Sequence, residues 1–202
     1  MRSPAASCGV LCALLVLPAI AHTQAKPPAA APAPTPAPVM SDAQFITAAE
    51  GAAPATISGK AAIVRIDAAK KATTEVRAGT NGFTCSLIPD ESNAPFCADK
   101  NGWAWMSAAF TGQPNPPNTV PGIAYMGKGG LHFETPTGDI VMMAGPGTKT
   151  VAEPPHWMLL SAIDPATSGL PTKPNAGGAY IMFAGTPYAH VMIYQNPAML
   201  AK

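Results

Sequence analysis

The 202 residues amount to about one to one and a half domains, and only 11% of them are charged, less than half the share usual in soluble proteins. Twelve Lys and Arg against eleven Asp and Glu leave a formal charge of +1, which implies neither a basic face for nucleic acid nor an acidic solvating tail. Hydrophobic residues reach 48%, yet 24 prolines and 18 glycines punctuate the chain, and no apolar run attains the ~18 residues of a membrane span, so an integral helical membrane protein is not expected.

In chain order, Arg2, the apolar stretch from Cys8 to Ile20 and the small-x-small site Ala19-Ile20-Ala21 read as a signal peptide over residues 1–25. Thr23-Gln24-Ala25 is a second cleavage option. Residues 26–40 form a Pro/Ala-rich linker, KPPAAAPAPTPAPV in its main part, which is expected to be an extended spacer. A single globular domain then spans residues 41–202. Ser41-Asp42-Ala43-Gln44 is a capping-box pattern that opens a helix running to Glu50, ended by Gly51. Ala61 to Asp67 and Thr73 to Ala78 read as a hairpin, and Phe83 to Ile88 as a further strand. The turn-rich stretch Pro89 to Pro95 is bracketed by Cys85 and Cys97, the two cysteines that remain after signal removal. In an exported chain this pair reads as a disulfide stapling a loop. Trp103 to Phe110 is the main core helix, with Trp103, Met106, Ala109 and Phe110 on one face, and Gln113 to Pro121 is loop. Strand candidates follow at 123–126, 131–134, 140–144, 156–162, 179–184 and 190–194, the last two flanking Gly185-Thr186-Pro187 as a hairpin. The fold class expected is α+β: a β-dominated single domain with antiparallel hairpins, six to eight strands and about two helices.

Asn81-Gly82-Phe83-Thr84-Cys85, the later Cys97 and Tyr180 through Ile193 (YIMFAGTPYAHVMI) together resemble an uncharacterised family of secreted bacterial proteins of unknown function. The resemblance implies export, to the periplasm or outside the cell, and a bacterial origin. It brings no activity, substrate or cofactor.

Three histidines follow the signal, each with a donor two positions on: His132 with Glu134, His156 with Met158, His190 with Met192. On a strand such pairs share a face. Imidazole with thioether suits Cu(I), and His156, Met158, His190 and Met192 would make an N2S2 set. The pattern resembles the H-x-M ligand pair of periplasmic copper chaperones and departs from it in overall spacing. The competing reading is that methionine fills core gaps beside satisfied histidines, and a non-enzymatic binding or structural role is the broad expectation.

Two further readings belong to other classes. His132, Glu134 and a distal His190 or His156 have the composition of a 2-His-1-carboxylate iron site. The basic residue that oxygenases of this type place after the distal His is missing there, with only Lys202 following His190. The H-x-E of a deaminase lacks its P-C-x-x-C, there is no G-x-S-x-G elbow, and Gly127-Lys128-Gly129-Gly130 has the spacing of a turn rather than a phosphate loop. Trp103, Trp105, Trp157, Tyr125, Tyr180, Tyr188 and Tyr194 would form a sugar or peptide groove only if several were exposed in one plane.

Overall fold

A computed structural model describes residues 40–200. The expected signal peptide and, apart from Met40, the linker lie outside the described residues. No helix among the described residues is long and apolar enough to cross a membrane.

The elements are α1 (Asp42–Glu50), α2 (Ala55–Ser58), β1 (Ala62–Asp67), β2 (Ala72–Arg77), β3 (Thr84–Leu87), β4 (Pro95–Ala98), α3 (Lys100–Phe110), β5 (Gly122–Met126), β6 (Gly130–Glu134), β7 (Ile140–Val141), β8 (Lys149–Glu153), β9 (His156–Leu160), α4 (Pro165–Ser168), β10 (Ala179–Met182), β11 (His190–Ile193) and a final 3-10 turn, Pro197–Leu200. The protein is a strand-rich mixture of helix and sheet. Eight strands form one sheet in the order β10-β11-β9-β5-β4-β3-β1-β2, and three form a second in the order β7-β6-β8. Neighbouring strands run antiparallel except β1 and β3, which are parallel.

Strand alternation puts a different helix on each face of the large sheet. In β4, Cys97 packs with Cys85, Ile63 and Leu87 beneath Phe45 and Ala49 of α1, whereas Phe96 and Ala98 belong to a second cluster with Trp105 and Met106 of α3. With both faces covered, β4 is buried at all four positions. This is why it escaped a reading based on polar alternation. Cys85 and Cys97 stand directly opposite each other in the β3/β4 ladder, with their sulfurs at disulfide distance.

Both long helices start on side-chain caps, of which the Ser41 box is the one read from the sequence. Ser41 and Gln44 close the capping box of α1. The Asp99 carboxylate accepts from the backbone N–H of Gly102 and starts α3 three residues before Trp103. The buried face of α3 is Gly102, Trp105, Met106 and Ala108, while Trp103, Ala109 and Phe110 are only partly buried. The face expected from spacing is thus rotated, because Trp105 turns toward β11 and Trp103 stacks on Phe96 at the other side. Gly102 is required by close approach: a Cβ there would stand 2.5 Å from the Ile123 carbonyl oxygen of β5.

Among the described residues, four helices stand against the two expected and eleven strands against the six to eight. The additional helices α2 and α4 are single turns, and β8 is mostly exposed and polar. The 140–144 strand stops at Val141, which leaves Met142 and Met143 exposed.

Candidate functional site

The site is built on the face of β10-β11-β9-β5 that meets α3 and the small sheet. Backbone register fixes which side chains meet there. Met192 of β11 pairs with Met158 of β9, His190 pairs with Met182 of β10, and His156 pairs with Met126 of β5. Residues two apart on a strand share a face, so His156 and Met158 lie together, as do His190 and Met192. All six side chains line one cavity of about 130 Å³, closed from the other side by Trp105 and Met106 of α3 and by Leu131, His132 and Phe133 of β6. Organic ligands of drug size occupy roughly 300 Å³ or more. This cavity suits an ion or a ligand of a few atoms.

His156 and His190 are 1% and 2% exposed. Each is anchored in the same way: Nδ1–H of His156 donates to the Pro154 carbonyl at 2.7 Å, and Nδ1–H of His190 donates to the Tyr188 carbonyl at 2.9 Å. A carbonyl only accepts, so the proton sits on Nδ1 and the Nε2 lone pair is free. Neither Nε2 has a hydrogen-bond partner among the described residues, and the same is true of Trp105 Nε1. Burial pushes the His190 pKa down to about 4, with repulsion from His156 adding to it against the Tyr188 hydrogen bond. Burial also lowers His156, against the pull of the Pro154 carbonyl and the Glu153 charge. Both rings are therefore neutral near pH 7. The His190 ring is held edge-on by Trp105 at 4.9 Å and by Phe183 at 5.6 Å between centroids. Phe183 itself adopts φ +54°, a left-handed conformation that costs a bulky residue on the order of 1 kcal/mol or more.

Beside this donor face lies a buried polar network. Glu153, at the end of β8, accepts hydrogen bonds from His132 Nδ1, from the Tyr180 hydroxyl at 2.8 Å and from the Tyr194 hydroxyl. His132 Nε2 faces Glu134 at 3.1 Å, and Glu134 in turn pairs with Lys149 at 2.6 Å. Burial works against charge on His132, but its contacts with Glu153 and Glu134 outweigh this and raise its pKa. Burial likewise opposes ionisation of Glu153 and is outweighed by the bonds from His132, Tyr194 and Tyr180, so its pKa is lowered. Both shifts favour the imidazolium–carboxylate form of the pair.

The structure thus brings His156, Met158, His190 and Met192 to one cavity. His132 lines the same cavity, but both of its ring nitrogens are committed to carboxylates, and Glu134 is not among the lining residues. No three His, Cys, Asp or Glu side chains form a metal-holding group among the described residues, so the 2-His-1-carboxylate arrangement is not assembled. Nor is there a row of exposed rings: Trp105, Tyr180 and Tyr188 are buried, and Trp103, Tyr125, Trp157 and Tyr194 are partly so. Sequence reasoning missed Met126 and Met182, which are cross-strand neighbours visible only once the register is known. It also missed Glu153, whose partners lie 21 to 41 positions away. Compared with known proteins, the chain matches no family model, no curated protein and no solved structure.

Proposed function

We propose that this chain is an exported bacterial protein that binds Cu(I) non-enzymatically through a buried face of imidazole and thioether donors. The observation that carries the reading is the pair of buried Nε2 atoms, on His156 and His190, that have no hydrogen-bond partner among the described residues and belong to side chains lining a methionine-rich cavity. Leaving a buried acceptor unmatched costs about 1–3 kcal/mol, so two of them, each with Nδ1 tied down, favour a ligand-binding role over simple packing. Metal-bound histidines ordinarily donate the other ring N–H to a carbonyl or carboxylate, which fixes tautomer and orientation.

The donor set favours Cu(I) over harder ions. The thioethers select a soft metal and the neutral imidazoles are compatible with it, whereas Zn(II) takes thiolate, imidazole and carboxylate. The one buried carboxylate at this cavity, Glu153, already accepts three hydrogen bonds. The signal-like N-terminus and the Cys85/Cys97 pair fit a protein of the periplasm or the exterior.

Anaerobic titration in competition with a chromophoric Cu(I) chelator tests the reading. The purified chain is expected to withdraw Cu(I) from the chelator, and the double variant His156→Ala/His190→Ala to weaken binding at least tenfold. No withdrawal by the unaltered protein, or binding that survives the double change, refutes it.

A further inference from the structure

We propose that the donor face holds two Cu(I) ions, one at each histidine, rather than one ion shared between them. This rests on the cuprous reading above and deepens it. The argument is one of register. Met158 and Met192 pair across β9 and β11, and the two strands are antiparallel. His156 lies two positions before Met158 and His190 two positions before Met192, so the histidines sit at opposite ends of the methionine pair. Four residue steps at about 3.4 Å separate their Cα atoms by on the order of 13 Å along the strands. Each Nδ1 donates to the carbonyl two residues earlier in its own chain, Pro154 or Tyr188. Those carbonyls lie further out still, so the anchoring bonds pull the two rings apart rather than together.

A single ion bonded to both Nε2 atoms needs them within about 4 Å of each other, twice a metal–imidazole bond of ~2 Å. The anchors oppose that approach. Each histidine instead has its own thioethers at hand. Met126 is the cross-strand neighbour of His156 and Met182 that of His190, with directly opposed Cβ atoms ~5 Å apart on such ladders. Adding the methionine two positions on gives His156 with Met126 and Met158, and His190 with Met182 and Met192. The face is therefore two sets of one imidazole and two thioethers, related across the central Met158/Met192 pair. All six residues line the same cavity.

The full chain is titrated anaerobically with Cu(I), with the copper bound counted by chelator competition and by native mass spectrometry. Two equivalents are expected for the unaltered protein, and one for either His156→Gln or His190→Gln. Met126→Leu and Met182→Leu, which keep side-chain volume and so spare the fold, are each expected to weaken a single site tenfold or more and leave the other unchanged. One equivalent in the unaltered protein, lost on changing either histidine, overturns the two-ion arrangement while leaving the cuprous reading intact. No copper bound at all removes the cuprous reading itself.

Discussion

Glu153→Ala is expected to be the most destabilising single truncation around the site. The carboxylate is buried and accepts from His132, Tyr180 and Tyr194. Removing it leaves a buried imidazole with only Glu134, and the hydroxyl of the fully buried Tyr180 without its acceptor. Hydrogen bonds to charged groups are worth about 1.5–3 kcal/mol each, and removing one partner of a buried ion pair costs about 3–5 kcal/mol. These overlap, so the expected loss is about 4 kcal/mol, or roughly 8–16 °C in Tm at 2–4 °C per kcal/mol. Glu153→Gln keeps an acceptor oxygen and loses the charge, for about half the effect. Urea unfolding at several pH values is the assay. The raised pKa of His132 means that its contribution is complete below pH ~6.5 and is lost as pH rises through the elevated folded value. The lowered pKa of Glu153 means that its contribution is complete above pH ~4.5 and is lost as pH falls through the depressed value. The difference between the unaltered protein and Glu153→Ala should therefore be largest between about pH 4.5 and 6.5 and shrink on both sides. A loss under about 1 kcal/mol, or one independent of pH, refutes the view that this network is a buried ion pair.

Other outcomes follow from the same geometry. His190→Leu removes the unmatched Nε2 acceptor but leaves the Tyr188 carbonyl without its donor, so the two effects largely offset and the metal-free protein should lose no more than about 2 kcal/mol while Cu(I) affinity falls; a loss of about 4 kcal/mol or more in thermal melts would point to a structural histidine instead. Reducing the Cys85/Cys97 bond should cost up to about 3 kcal/mol for the loop it closes, and intact mass of protein exported by a bacterial host should show no free thiol and a chain starting at His22 or Lys26. Gly102→Ala would press a methyl group against the Ile123 carbonyl and should lower stability by about 2 kcal/mol or more; an unchanged unfolding midpoint would contradict the close approach of α3 to β5.

The donor face was legible in the sequence to the extent that it depends on local periodicity. H-x-M on a strand needs no tertiary knowledge to place both side chains on one side, and the capping box at Ser41 is equally local. What stayed hidden depends on register and on layer. Met126 and Met182 become partners of His156 and His190 only when β5 and β10 take their places in the sheet. β4 drew no strand reading because Pro95 opens it and because burial on both faces removes alternation. β8 drew none for the opposite reason, since Lys149 to Glu153 is polar and mostly exposed until its last residue turns inward. The single turns α2 and α4 are too short to show helical periodicity, although Pro54 and Pro165 stand where helix starts tolerate proline. The expected distance between the histidines was also beyond local reading. Repeated H-x-M pairs suggest one N2S2 set, and only the antiparallel register places the two histidines at opposite ends.

The central claim is that imidazole and thioether together bind the metal, and X-ray absorption at the copper edge of the Cu(I)-loaded protein tests it most directly. The account predicts a cuprous edge with a first shell of mixed nitrogen and sulfur, with the sulfur contribution falling when Met158 and Met192 are both changed to Leu. A shell of light atoms alone, or one unaffected by losing those two thioethers, would contradict it.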